Sequence, residues 1–292
     1  MKRVVGERID HGRWRFIIPE SARDLSLHAR DHLIETVLAA VSGKRGAPFR
    51  RSRHATTWKM PIANREGQSE RIFIKQIDPA SGVIAKAKAI LRGTRSEHVV
   101  AISEALRRDN FGVSRVVLIG QNLDTGHQVI VANEVAGFML TRWMNPAHAT
   151  SLATRRTILR KLGEEIARLH RSGYIHGDLT PYNIFVTIEN SIAITFIDHE
   201  RTNRISRLTI NLARNRMRNL VQLGHFNIPG VSNTDQLRVF NSYSTAAGWS
   251  ERVKRNSLSR LIKMIRRRHR GERMPARNEA RSAIIVEGPV RG

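Results

Sequence analysis

The sequence predicts a two-lobed α+β fold, with a small strand-rich first part and a helix-rich second part. Three features support it. Short apolar strands recur up to about residue 131, a connector follows near residues 134 to 140, and a long amphipathic helix covers about residues 152 to 171. A chain of 292 residues is long enough to bury the cores of two lobes.

These patterns divide the chain into four parts. We expect a helical N-terminal extension at 1–44, a β-rich lobe at 45–136, a helical lobe at 137–270, and a basic tail at 271–292 that is predicted to be disordered.

The first part contains a helix and a strand that carries a lysine. Apolar residues recur at helical spacing within residues 21 to 42, which predicts the first helix. Residues 71 to 77 alternate as a strand, so Phe73, Lys75 and Ile77 share one face. A lysine between two apolar neighbours needs a counter-charge or a phosphate. Lys75 is therefore a candidate binding residue.

A helix at about 95 to 109 and two strands, at 116–119 and 129–131, complete the first part. The helix of the second part, at 152–171, has its apolar positions at i, i+3, i+7 and i+10 from Leu159. It ends at Ser172-Gly173, three residues before the most informative string of the chain.

That string is HGDLTPYNI, at residues 176 to 184. Asn183 lies five positions after Asp178, and a hairpin of two apolar runs then ends on Asp198. In phosphotransferases with this spacing, one carboxylate takes the proton of the acceptor hydroxyl, the Asn holds a metal, and the second carboxylate bridges metal and phosphate. The string predicts a catalytic Asp178 and metal-binding Asn183 and Asp198. For His176, inside the string, we expect a structural role.

Composition excludes several classes of protein. The chain has no Cys, which excludes disulfides and thiolate metal sites, and its 12 His show no ligand spacing beside a carboxylate. It has no apolar run long enough to span a membrane and no secretory signal at its start, so we expect a cytoplasmic protein. The formal net charge of +25 predicts a polyanionic partner.

The sequence resembles the lipopolysaccharide core kinases of Gram-negative bacteria, the Kdo and heptose kinase family of the protein-kinase-like superfamily. The segments that carry this resemblance are IFIK ending at Lys75, GYIHGDLTPYNIF at 173–185, FIDHERT at 196–202, and RNLVQLGHFNIPGVSNTDQLRVFNSY at 218–243. The resemblance implies a kinase fold that uses ATP and Mg²⁺, with Asp178 as the base, Asn183 and Asp198 on the metal, and Lys75 on the phosphates.

The resemblance also implies an acceptor and a location. The acceptor would be a Kdo or heptose of the lipid-anchored core oligosaccharide, and the enzyme would be peripheral on the anionic inner-membrane surface. Two features depart from the superfamily pattern. Asp198 is followed by His199-Glu200 rather than by Gly, and no glycine-rich phosphate loop is recognisable, since Gly43 and Gly46 are poorly placed.

An acidic partner for Lys75 is expected on the helix at 95–109. Glu97 and Glu104 are seven residues apart and lie on one face, so spacing does not choose between them. We assign Glu97 to the cofactor site with Lys75.

Other readings stay open. One is a kinase of another acceptor, such as an aminoglycoside or a protein hydroxyl; the basic charge argues against binding of a cationic antibiotic. Another is a non-catalytic polyanion-binding protein on a kinase scaffold, but aromatic residues make up only 5%, few for stacking on nucleic-acid bases. The apolar positions 258 to 265 fit a packed helix or a membrane contact, and the basic run 266–270 fits a solvated tail or an anionic-surface site. The sequence does not determine the oligomeric state.

Overall fold

A seven-stranded antiparallel sheet forms the first lobe in the computed structural model, which describes residues 5–52, 54–63, 69–79, 94–148, 150–205, 212–226 and 228–271. Its strands are β1 (Gly6–His11), β2 (Trp14–Pro19), β3 (Arg50–Arg51), β4 (Ala55–Ala63), β5 (Ser69–Ile77), β7 (Val116–Asn122) and β8 (Gln128–Asn133). They lie in the order β1-β2-β7-β8-β5-β4-β3. Lys75 is thus on an inner strand, with Thr57 of β4 and Ile130 of β8 opposite it.

Two helices pack on this sheet. Helix α1 (Leu27–Val41) begins after Ser26, whose side chain accepts a hydrogen bond from Ala29 N, and it buries Leu33, Ile34 and Val37 against the sheet. Helix α2 (Arg95–Arg108) begins after Thr94 and buries Val99, Val100 and Leu106. Apolar side chains three and four apart therefore form the inner face of each helix.

The predicted helical extension at 1–44 needs correction. Strand β2 pairs with β7, with Phe16 opposite Gly120, and α1 packs in the same core as the sheet. The segment is part of the β-rich lobe. The alternating run from Trp14 to Ile18 is the strand signal that the prediction missed, because it is short and follows charged residues.

The second lobe is mainly helical. Its helices are α3 (Leu140–Met144), α4 (Leu152–Arg171), α5 (Leu212–Gly224), α6 (Asn233–Ala246) and α7 (Glu251–Gly271). A small sheet in the order β6-β12-β11-β9 is made of β6 (Gly112–Val113), β9 (Phe138–Met139), β11 (Ile184–Ile188) and β12 (Ile192–Phe196). Strands β10 (Tyr174–Ile175) and β13 (Asn203–Arg204) form a separate pair. The α+β two-lobed fold predicted from the sequence is confirmed.

Helices α4 and α6 pack against each other in the core of the second lobe. Their backbones approach closely at Gly163, where an added Cβ would lie 2.4 Å from the carbonyl oxygen of Val239. Helix α7 packs on this core through Leu258, Leu261 and Ile265, which favours the packed-helix reading for those positions. Ile262 differs, because it is 41% exposed.

The basic tail predicted at 271–292 lies outside the described residues, apart from Gly271, which ends α7. Across the described ranges, no helix is both long enough and apolar enough to cross a membrane.

Candidate active site

The loop between β10 and β11 carries Asp178. The preceding Gly177 has φ +74°, and an added Cβ there would lie 2.3 Å from the carbonyl oxygen of Arg201. Only glycine fits this conformation and this close approach. Asp178 follows directly in this tight loop and is partly buried.

Asn183 returns to Asp178 through a short 3₁₀ turn, Pro181–Asn183. Its Nδ2 donates to the backbone oxygen of Asp178 at 2.9 Å and to the carboxylate Oδ2 at 3.2 Å. The sequence string is therefore also a spatial cluster. Because both amide hydrogens are directed to Asp178, the amide oxygen of Asn183 is the atom that can bind a metal.

Asp198 follows β12 and lies next to this cluster. The backbone N–H of Ile197 donates to the carbonyl oxygen of Asn183 at 3.0 Å, which joins the ends of the two hairpin strands. Asp198 has φ +64°, in the left-handed region that few non-glycine residues adopt. Strained backbone of this kind concentrates at functional sites.

Lys75 crosses between the lobes to meet Asp198. Its Nζ lies 3.0 Å from Asp198 Oδ1 and also forms an ion pair with Glu200. Burial opposes the charge of Lys75, but the carboxylates of Asp198 and Glu200 outweigh it and raise the pKa of Lys75. Burial likewise opposes the charge of Asp198, but the Lys75 ammonium holds the pKa of Asp198 below its usual value. Both groups are therefore charged at neutral pH.

The structure corrects the expected pairing of Lys75 with Glu97. Glu97 is the third residue of α2 and accepts hydrogen bonds from Thr94 N at 2.8 Å and Thr94 Oγ1 at 3.0 Å. This is a capping box, which stabilises the start of the helix. Glu104 is not the partner either, since the carboxylates that pair with Lys75 among the described residues are those of Asp198 and Glu200. The Thr94-x-x-Glu97 spacing was the signal for the cap.

Glu200 is the partner that sequence reasoning missed. Its side chain is 17% exposed and lies between Lys75 and Arg95, at 3.7 Å from the guanidinium of Arg95. Arg95 is the first residue of α2, so this helix supplies a cation to Glu200 instead of an anion to Lys75. His98 of α2 also bonds to the carbonyl oxygen of Thr202 at 2.8 Å. Helix α2 is thus fixed to the segment that follows Asp198.

Two buried histidines hydrogen-bond the backbone just before Asp198. His176 Nε2 donates to Ile197 O at 3.0 Å, and His199 Nε2 donates to Phe196 O at 3.0 Å. Burial lowers the pKa of His199 to about 3 and also lowers that of His176. Both rings are neutral at physiological pH and hydrogen-bond the strand that leads to Asp198. His176 has the structural role expected of it.

The donor atoms of the site fit a hard divalent cation. Asn183 and Asp198 offer only oxygen, and Mg²⁺ in phosphoryl-transfer sites uses one or two carboxylates together with substrate phosphates. No group of three His, Cys, Asp or Glu in the described ranges could hold a metal by itself. Such a site would be completed by phosphate oxygens, which Lys75 can also bind.

Comparison with known proteins places these residues in a family. A model described as the lipopolysaccharide kinase (Kdo/WaaP) family matches residues 84–243, more than half of the chain. The matched range contains Asp178, Asn183, Asp198 and Glu200, whereas Lys75 precedes it. No curated protein matches the chain.

Proposed function

Because the chain belongs to the lipopolysaccharide kinase (Kdo/WaaP) family, and is thus a kinase that phosphorylates a sugar hydroxyl, we propose that it transfers the γ-phosphoryl group of ATP to a Kdo or heptose of the lipopolysaccharide inner core. The observation that carries the proposal is the arrangement of two pairs, Lys75 with Asp198 and Asn183 with Asp178. A backbone hydrogen bond from Ile197, the residue before Asp198, to Asn183 joins the two pairs.

Asp178 acts on the acceptor. Its carboxylate accepts one hydrogen bond from Asn183, which orients it and leaves capacity to accept the proton of a sugar hydroxyl. The transition state of phosphoryl transfer is loose, so positioning and neutralisation of charge contribute most of the rate enhancement.

Asn183, Asp198 and Lys75 act on the nucleotide. Asn183 and Asp198 would hold Mg²⁺, which neutralises charge on the phosphates when bound. Lys75 would bind the α- and β-phosphates, because its ammonium group lies beside Asp198, which would hold the metal on those phosphates.

Glu200 lets Asp198 change partners. In the structure Lys75 contacts both carboxylates, so Asp198 can turn to a metal while Glu200 still holds the ammonium of Lys75. Arg95 in turn keeps Glu200 in place and balances its charge. We assign to Glu200 the orienting role that the sequence suggested for Glu97.

We also propose that the enzyme works as a peripheral protein on the cytoplasmic, anionic face of the inner membrane, where a lipid-anchored sugar acceptor would be. Helix α7 buries Leu261 in the core and exposes basic residues elsewhere on its surface: Arg252, Arg255, Arg260, Lys263, Arg266 and Arg267. Attraction to anionic lipid contributes about 1 kcal/mol for each basic residue near the surface. Because the apolar side of the helix is mostly packed, binding would be electrostatic.

The proposal is tested with purified protein, Mg·ATP and two separate acceptors. One acceptor is lipid A carrying only Kdo, and the other is a core oligosaccharide carrying heptose. Mass spectrometry should show the addition of one phosphate to one of them. Phosphorylation of an aminoglycoside or a protein, but of neither sugar acceptor, would favour the alternative acceptor classes.

A further inference from the structure

Helix α5 presents a side-chain amide to the backbone of the loop that carries Asp178. Gln222 Nε2 donates to the carbonyl oxygen of Gly177 at 2.7 Å, and the N–H of Leu179 donates to Gln222 Oε1 at 3.3 Å. One amide therefore bonds the backbone on both sides of Asp178. Leu179 is fully buried, so its N–H needs an internal partner.

A second amide on the same face of α5 supports the first. Asn219 lies three residues before Gln222, and its Nδ2 donates to Gln222 Oε1 at 2.9 Å. Its Oδ1 accepts from the N–H of His176 at 3.0 Å. Because backbone groups have fixed roles as donor or acceptor, these contacts define the orientation of both amides.

The network continues into the core of the helical lobe. Asn219 Oδ1 also accepts from His170 Nε2 at 3.2 Å, which leaves His170 Nδ1 to accept from the hydroxyl of Tyr243 at 2.9 Å. Burial lowers the pKa of His170 to about 3 and raises that of Tyr243 to about 12, so both are neutral. Hydrogen bonds in a buried network of this kind restrict the motion of the groups that they join. The network joins α4, α5 and α6 to the catalytic loop.

We propose that Gln222 and Asn219 are positioning residues that hold Asp178 in register with the acceptor hydroxyl. The inference rests on the proposed function, in which Asp178 is the base. Neither amide touches the substrate; both act through the backbone of residues 176 to 179. A displacement of about 1 Å at a reacting group can cost about a hundredfold in rate.

Gln222→Met tests the proposal, because it keeps the length of the side chain and removes both hydrogen bonds to the loop. We expect kcat for sugar phosphorylation to fall about 10- to 100-fold with KM for ATP little changed, since Lys75 keeps its ion pairs with Asp198 and Glu200. Amide hydrogen exchange of the peptide containing residues 176 to 180 should become faster. A loss of overall stability alone would not separate kcat from KM in this way.

Ser244→Ala is the matched control. It removes another buried hydrogen bond of the helical lobe, from Ser244 Oγ to Asn241 O at 2.9 Å within α6. This variant should keep the loop exchange and kcat of the wild type. If Gln222→Met does not fold, Gln222→Glu keeps the acceptor for Leu179 and loses the donor to Gly177, and the same changes are expected at smaller size.

The outcomes are distinct. Unchanged loop exchange in a folded Gln222 variant, or faster exchange with wild-type kcat, would overturn the positioning role. If the wild-type protein phosphorylates neither sugar acceptor, the proposed function fails instead, and hydrogen exchange alone decides whether the amides hold the loop.

Discussion

Lys75 reaches from the β-rich lobe to the segment after β12 and forms ion pairs there with Asp198 and Glu200. Its side chain is 29% exposed, and those of Asp198 and Glu200 are 35% and 17% exposed. Pairs of this kind are stronger than exposed surface ion pairs, because water screens them less. One lysine between two carboxylates also keeps its charge, which the proposed binding of phosphates would require.

Glu200 and Glu97 should differ sharply when each is changed to glutamine. Glu200→Gln removes the carboxylate charge that pairs with Lys75. It should raise KM for ATP about tenfold, equal to about 1.4 kcal/mol. Glu97→Gln should have little effect, since Gln also completes a capping box. Steady-state kinetics of both variants measures this difference. Equal damage by both would show that Lys75 pairs with Glu97 in the working enzyme.

Asp178 and Asp198 should separate chemistry from nucleotide binding. Asp178→Asn should abolish phosphoryl transfer and leave ATP binding nearly intact, because the proposed base would contact the acceptor and not the nucleotide. Asp198→Ala should weaken binding of Mg·ATP as well, which calorimetry measures. If Asp178→Asn keeps turnover within about tenfold of wild type, roughly 1.4 kcal/mol of barrier, then Asp178 is not the base.

The site could be predicted from sequence only where it is local. Asp178, Asn183 and Asp198 lie on one loop and hairpin, so their spacing also predicts their proximity. The partner of Lys75 depends on how α2 packs against the segment after Asp198. The spacing of residues in the sequence carries no information about this packing. Gln222 has the same limit, because its contacts with Gly177 and Leu179 exist only after α5 packs.

At the scale of elements, α7 combines two surfaces with different roles. Leu258, Leu261 and Ile265 pack on the helical lobe, whereas Arg260, Lys263 and Arg267 are exposed at i, i+3 and i+7. The exposed residues form one basic stripe on the helix. The periodicity predicted this helix well, as it did α4, because long amphipathic patterns are distinctive. Strands β1 and β2 lack such a pattern.

Neutralising the basic stripe should weaken membrane binding. The triple variant Arg260→Gln, Lys263→Gln, Arg267→Gln should bind anionic vesicles roughly a hundredfold less tightly, from about 1 kcal/mol per basic residue. Wild-type binding should fall as salt rises, since exposed charges are screened beyond about 8 Å at physiological ionic strength. Vesicle co-sedimentation at several salt concentrations gives both results.

The control for this prediction removes the same charge elsewhere. Arg8, Lys44 and Arg45 are exposed in the β-rich lobe, and their change to Gln should leave vesicle binding close to wild type. Equal loss of binding in both triple variants would assign the effect to net charge and not to α7.

At the scale of the whole molecule, buried neutral histidines make stability depend on pH. His170, His176 and His199 are at most 3% exposed, and burial lowers the pKa of each. In the unfolded chain a histidine has its usual pKa, near 6.5. Above that pH both states are neutral, and stability from these groups is fully present. As pH falls below it, only the unfolded state takes up protons, so stability is lost toward about pH 3.

Chemical denaturation should therefore show a lower midpoint at about pH 5 than at about pH 7.5, with a slope of about 1.4 kcal/mol per pH unit for each histidine. Asp198 does not add to this pH dependence, because above its usual pKa of 3.8 its carboxylate is ionised in both the folded and the unfolded chain. His170→Gln should flatten the dependence, and the exposed His11→Gln should not. A midpoint that is constant over this range would contradict the buried neutral assignment.

The formal net charge of +25 belongs to the whole chain and suits an anionic substrate on an anionic surface. The most direct test of the central claim follows the γ-phosphate of labelled ATP in reactions with Kdo-bearing lipid A and with heptose-bearing core oligosaccharide. We predict that the label appears on one of these sugars with wild-type protein and on neither with Asp178→Asn. Label that never reaches a sugar, or that reaches it equally with Asp178→Asn, would contradict the account.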